Sequence, residues 1–234
     1  MSELIPARLR RRARTAGGEP LLTYYEPAAG SRVELSAVTL LNWVDKTSHL
    51  LDALDVTSGD VVQLALAEEA PGHWVTAVWE LACWQVGAEV AVGYPPAPAL
   101  VVAGPHWSTH VDAAGDVVAC SLHPLGLPFA EPLPTPVLDY ALEVRGQADV
   151  YGAVPQADAL WAWSDGERRL SQGTLVAGPA PAPARRLVRP GGPWSTAHAA
   201  VVTPLLTGGS TVVVAGPVDD DRLAQIRRDE RVEG

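Results

Sequence analysis

Residues 60–95, DVVQLALAEEAPGHWVTAVWELACWQVGAEVAVGYP, decide the fold. Residues 61–67 are apolar and short, which suits a strand covered on both faces. A Glu-Glu-Ala-Pro-Gly break at residues 68–72 follows, and then an apolar run long enough for a helix ends at Gly87, a natural helix terminator. A second short apolar run, EVAVGYP at 89–95, completes a strand, helix, strand unit whose two strands are expected to lie parallel.

Upstream of this unit, LLTYYEP and SRVELS, separated by Pro27 and Gly30, predict a β-hairpin. Ser36 is a candidate N-cap for a long helix whose apolar positions are Val38, Leu41, Trp43, Val44, Leu50, Leu51 and Leu54. Before the hairpin, a short amphipathic helix is expected, with Leu4, Ile5 and Leu9 inward and Arg8, Arg10, Arg11, Arg12 and Arg14 on a solvated face.

Downstream, ALVVAGP and DVVACSL predict further strands, HPLGLPFAEPLPTP a proline-rich surface connection, and VLDYALEVRGQ a modest helix. ALWAWSDGERRLSQGTLVAG reads as a strand, a turn, and then a strand or short helix, and GPAPAPARR as a linker-like loop. The chain closes with a helix interrupted near Pro204, the strand STVVVAG, and a helix opened by Asp219, Asp220 and Asp221, where acids complement the helix dipole. The fold class is therefore α/β: mixed, largely parallel sheets with helices packed on their faces. One domain over residues 1–234 is expected, with a division into subdomains 1–150 and 151–234 open.

Composition narrows the function. The 234 residues are 47% hydrophobic and 19% charged, the balance of a packed globular chain. A formal charge of −10 argues against a nucleic-acid partner, because a phosphate backbone recruits dense Lys and Arg. No apolar h-region follows the N-terminal basic residues and no stretch reaches spanning length, so membrane insertion is not expected and a cytoplasmic setting is. Cys83 and Cys120 lack CxxC or metal-ligand spacing and read as buried thiols.

The order of elements resembles the N-terminal region of the acyl-adenylate-forming superfamily: acyl-CoA synthetases, luciferases and peptide-synthetase adenylation domains. Its carriers are the hairpin, helix and "GD.V.l.l" run through residue 95, and TPLLTGGSTVVVAG at 203–216, which looks like an "LL.GG.vVL" segment. A set of short actinobacterial proteins related to that superfamily is more similar still. The resemblance implies the superfamily's N-terminal fold, and its departures bear on activity. In the superfamily a Ser/Thr/Gly-rich loop ending Pro-Lys-Gly cradles the ATP phosphates with backbone N–H groups and a lysine. At the matching place, residues 159–177, only Ser164-Asp165-Gly166 remains, and the side chain at 165 is an anion. Arg168 and Arg169 bring positive charge but not a ring of donors. The later acidic ribose-binding motif and the lid with its catalytic lysine have no counterpart in the 234 residues; Lys46, the one lysine, stands on the first long helix.

The resemblance thus implies a non-catalytic relative acting in binding, scaffolding or regulation. No cofactor is expected, although residual nucleotide binding stays open, and an acyl or nucleotide small molecule is the expected ligand class. The alternatives are a partial acyl-activating subunit completed by a lid-bearing partner, and an interaction subunit without a ligand. Ser164, Asp165 and Gly166 are the vestigial phosphate-loop position and, equally, an ordinary Asp-Gly turn. Trp194 and His198 fall where related enzymes place a "P..H" segment lining the acyl pocket, and are candidate cleft residues.

No catalytic residue or metal ligand is assigned. His106, His110 and Asp112 lie close together in sequence but in a loop without the HExxH pattern, and Gly208-Gly209 marks a helix end rather than a phosphate site. No GxSxG, Walker loop or GxGxxG follows a strand. Trp74, Trp79 and Trp84 recur every five residues, a spacing that spreads around a helix and suggests that at least one ring faces a partner subunit or a cleft, with a homodimer as the hypothesis for the former.

Overall fold

The computed structural model describes residues 3–112 and 115–233. Met1, Ser2, Gly234 and the Ala113-Ala114 pair of the histidine-bearing loop lie outside the described residues. In chain order the elements are α1 (Ile5–Ala16), β1 (Pro20–Glu26), β2 (Ser31–Ser36), α2 (Ala37–Ala53), β3 (Val61–Leu64), α3 (Leu66–Glu69), α4 (Trp74–Val86) and β4 (Glu89–Ala91). There follow β5 (Leu100–Ala103), β6 (Asp116–Ala119), β7 (Leu138–Asp139), α5 (Tyr140–Arg145), β8 (Trp161–Ser164), β9 (Arg169–Ser171) and α6 (Gln172–Leu175). The last are β10 (Arg185–Val188), α7 (Pro193–Ala197), α8 (Thr203–Thr207), β11 (Ser210–Val214) and α9 (Asp220–Asp229).

Among the described residues the strands form two sheets. One has the order β7-β6-β5-β3-β4-β8-β9, parallel throughout except for the antiparallel edge strand β9. The other has the order β10-β11-β1-β2, where β10, β11 and β1 run parallel and β2 is antiparallel. Residues from both sides of the 150/151 position contribute to each sheet. The main apolar cluster runs from Ile5 to Val213; one smaller cluster seats Ile226 of α9 against Tyr25, Val212 and Val214, and another joins Val101, Val117, Ala119 and Val137.

Local signals place the elements. Ser36 caps α2, its Oγ accepting from the Thr39 N–H at 3.2 Å. Ser36→Ala is expected to cost about 1 kcal/mol, read as a lower denaturant midpoint at unchanged slope. Gly87 ends α4 in the left-handed conformation, φ 88°. Gly208 does the same for α8. At the start of α9, Asp219 accepts from the Arg222 N–H at 2.7 Å.

Three expectations are corrected. Trp74, Trp79 and Trp84 present no ring to a partner: α4 is buried along its whole length, and these three side chains are 2%, 0% and 0% exposed. Neighbours surround the helix, so a spacing that spreads around the cylinder fills a core instead of marking an interface. The arginine face of α1 is not simply solvated. Arg10 turns inward to Asp45 at 2.8 Å, Gln85 at 3.0 Å and the Tyr151 carbonyl at 3.0 Å, while Arg12 reaches the Gly208 carbonyl. Finally, the interruption of the 193–207 helix is a π-turn at His198–Val202, ahead of Pro204. Val202 and Thr203 are already helical, so Pro204 falls inside a continuous helix, and its missing N–H and ring are accommodated next to the π-turn.

One feature of α4 runs against its surroundings. Glu80 is 3% exposed, and its Oε2 has no hydrogen-bond partner.

Candidate functional site

In an open parallel sheet, ligand sites form beyond the carboxyl ends of the strands, where the strand order reverses. Here β3 is flanked by β4 on one side and β5 on the other, so its carboxyl end is such a place. Glu69, at the end of α3, ties the segments after β3 and β5 together. Its carboxylate accepts from the Gly104 N–H at 3.0 Å and the His106 N–H at 3.3 Å, and pairs with His106 Nδ1 at 2.9 Å. The carboxylate packs closely on Gly104: a Cβ there would lie 2.7 Å from Glu69 Oε2 and would push the Glu69 side chain aside.

His106 is thus engaged by a carboxylate, and His110 stacks on Tyr94 with ring centroids 6.4 Å apart. Among the described residues no three His, Cys, Asp or Glu side chains converge as a metal site.

Further along the same edge lies the turn between β8 and β9. Gly166 takes φ +79°, and the Asp165 N–H closes the turn on the Arg168 carbonyl at 3.2 Å. The Asp165 carboxylate then gathers the donors around it: Trp163 Nε1–H at 3.1 Å, the Glu167 N–H at 3.2 Å, the Arg168 N–H at 3.0 Å and the Arg168 guanidinium at 2.8 Å. Ser164 is held by its backbone, its carbonyl accepting from the Val92 N–H at 2.8 Å. Arg169 points elsewhere, bidentate on Glu89 at 3.1 and 2.7 Å and lying 4.4 Å over the Trp161 ring. Both arginines near the turn are therefore neutralised within the chain.

The second pair of candidates reaches the same place from the other direction. Gly191 N–H donates to Thr196 Oγ1 at 2.9 Å, fixing the Pro-Gly-Gly-Pro approach to α7. Gly72 permits the close packing there, since a Cβ on it would come 2.9 Å from Thr196 Cγ2. Trp194 then sits 5.2 Å from Trp163, centroid to centroid, and 5.6 Å from the exposed His198 ring. His198 opens the π-turn, a helix irregularity common at functional sites.

Trp163 is the residue that links the two groups. One of its neighbours is Trp194 and the other is Asp165, so residues about thirty apart in sequence form one patch. Strand alternation alone would put Trp161 and Trp163 on one face; a register shift between them against β9 leaves Trp161 exposed and Trp163 buried, which no local signal announces.

Neither cysteine is an activated nucleophile. Burial pushes both the Cys83 and the Cys120 thiols far above the ordinary thiol range. Burial also lowers His73 to about 4, and its Nδ1 is spent on the Val75 N–H.

No protein-family model matches the chain. Solved structures do. An acyl-CoA synthetase from Brucella canis superposes with a TM-score of 0.76 at 16% identity, covering 98% of this chain and 46% of its own. An acetoacetyl-CoA synthetase from Streptomyces lividans gives 0.70 at 18% identity, covering 97% and 41%. The N-terminal domain of FACL13 from Mycobacterium tuberculosis gives 0.67 at 16% identity, covering 99% and 62%.

The fold is therefore that of the N-terminal portion of acyl-CoA synthetases. In sequence, the chain is similar to a TIGR03089 family protein of Mycobacterium tuberculosis, 38% identical over 137 residues. That alignment takes in 56% of this chain and spans about half, 54%, of the relative.

Proposed function

We propose that the chain is a non-catalytic relative of the acyl-adenylate-forming enzymes that works by binding, in scaffolding or regulation. The observation that carries the reading is the Asp165 carboxylate, which accepts from Trp163, Glu167 and Arg168. In a phosphate loop such donors face an external anion. Here an internal anion takes them, so an incoming phosphate would have to displace a carboxylate and would meet its charge. No cofactor is needed on this reading. The ligand we favour is a small acyl or nucleotide molecule at the accessible Trp194 and His198 rings, which rest on the buried Trp163 and suit a flat or apolar group.

The test is acid-dependent ATP–pyrophosphate exchange by the purified protein with a panel of carboxylic acids. The expected result is exchange at the no-enzyme background; exchange that rises with both acid and protein concentration would overturn the reading. A thermal-shift screen with AMP, ATP and acyl-CoAs then reports the retained ligand as a concentration-dependent rise in Tm.

A second reading, a partial acyl-activating enzyme completed by a lid-bearing partner, starts from the superposition of 98% of this chain on the Brucella synthetase fold. It predicts that exchange appears only when a second, lysine-bearing chain co-purifies. A homodimer or other interaction role would rest on a face other than α4.

A further inference from the structure

We propose that a cleft between α2, α5 and the loop after β6 is a second ligand site, for a monoanionic amphiphile: a carboxylate or sulfonate head on a short apolar chain. The cleft holds about 340 Å³ and is lined by Asn42, Trp43, Lys46, Leu125, Gly126 and Arg145. That volume lies within the range of small-molecule sites, roughly 300–1,000 Å³. It shares no lining residue with the Asp165 and Trp194 patch, so its occupancy is independent of the function proposed there.

Charge selects the head group. Lys46 Nζ pairs with Asp149 at 2.8 Å, which cancels one charge, and the Lys46 stem is largely covered by its neighbours. Arg145 spends one nitrogen on the Gly126 carbonyl at 3.1 Å and pairs with no carboxylate among the described residues. The charged groups at the cleft, Lys46, Arg145 and Asp149, therefore sum to +1. A monoanion neutralises this, whereas a dianion would leave an excess. Arg145 is held by its bond to Gly126 while its remaining N–H groups stay open to a planar, two-oxygen acceptor.

The walls select the tail. Leu125 is 76% exposed, an apolar side chain left without cover at the rim. Opposite it, Trp43 is fixed from behind by Trp74 at 5.1 Å and Tyr140 at 6.5 Å between ring centroids. Gly126, at φ +63°, lies so close that a Cβ would be 3.2 Å from Trp43 Cη2. The loop and the indole thus form a preset apolar slot beside the cation, which keeps the ordering cost of binding low. A small gap continues behind Trp43 towards Cys120 and Tyr140.

The experiment is calorimetric titration of the full chain with hexanoate and hexanesulfonate, with acetate as head-only and hexan-1-ol as tail-only controls. Saturable binding of at least one of the two six-carbon anions is expected, at least tenfold tighter than either control. Arg145→Ala should weaken it at least tenfold at unchanged melting temperature, since Arg145 is a surface side chain. Lys46→Met, which keeps the stem, should weaken it in the same direction. The proposal is overturned if neither anion saturates, if hexan-1-ol binds as tightly, or if Arg145→Ala binds as the parent does.

Discussion

Glu80→Gln is expected to reshape the dependence of stability on pH. Burial pushes the Glu80 carboxyl from 4.5 up to about 8, so it is neutral in the folded chain near pH 7. Between those values the unfolded chain has released a proton that the folded chain still holds. Stability due to this group is thus complete below pH 4.5 and is lost as pH rises towards 8, at roughly 1.4 kcal/mol per pH unit.

His73 opposes it over part of the range. Its lowered value, about 4 against 6.5, means the folded ring stays neutral where the unfolded one is charged, so its contribution grows with pH between those limits. The two slopes oppose each other up to about pH 6.5, and above that the loss from Glu80 stands alone. Denaturant midpoints at pH 5, 6.5 and 8 should therefore drop for the parent between 6.5 and 8 and hold steady for Glu80→Gln. Equal drops in the two proteins would refute the assignment.

Glu230→Ala is expected to cost about 3–5 kcal/mol, the range for stripping one partner from a buried ion pair. Glu230 follows α9 and is 8% exposed. Its carboxylate accepts from Tyr25 Oη at 2.5 Å, from Arg32 at 2.9 Å and from the Arg185 guanidinium, and its carbonyl accepts from Arg185 Nε at 2.7 Å. Burial alone would raise this carboxyl, but the bonds from Tyr25, Arg32 and Arg185 outweigh it and hold it below the ordinary carboxylate range.

The sign is therefore opposite to that of Glu80. Its stabilisation is present above the unfolded value and is lost as pH falls through the lowered one. Removing the carboxylate leaves Arg185 and Arg32 facing an empty site under α9. Hydrogen exchange across residues 220–233 should accelerate in Glu230→Ala more than in the seven-stranded sheet, with Glu230→Gln intermediate. Uniform acceleration over both regions would show that Glu230 does not act as a local anchor.

Much of this architecture is written in short-range signals. The β3, α4, β4 order, the Ser36 and Asp219 caps and the Gly87 and Gly208 helix ends each depend on a few adjacent residues and stand as the sequence predicts, except that β3 stops at Leu64 and the end of the predicted 61–67 strand turns into α3. What escapes prediction depends on distant partners. Strand β10 hides behind the proline-rich GPAPAPARR run, because its pairing with β11 is specified about 25 residues away. The tryptophans of α4 mislead for a related reason: periodicity tells which faces are apolar, not whether every face is covered.

At the candidate patch, Asp165 and Trp194 were both visible as residues, but their connection through Trp163 was not. Glu69 likewise shows its role only when β3 and β5 are side by side.

The four-stranded sheet carries a consequence for the order in which the chain can assemble. Its interior strand β1, residues 20–26, pairs with β11, residues 210–214, so it is held on both sides only after about 190 further residues have left the ribosome, the sequence separation of the two strands. Arg10 waits in the same way for Tyr151, 141 residues on. The strands of the seven-stranded sheet are all synthesised by Ser171, ahead of β11, although Ala197, Val201 and Leu205 join the same core later. Until β11 arrives, the hairpin of β1 and β2 offers an unpaired edge bearing Leu22, Tyr24 and Tyr25, which makes the nascent chain most vulnerable to mispairing at its oldest end.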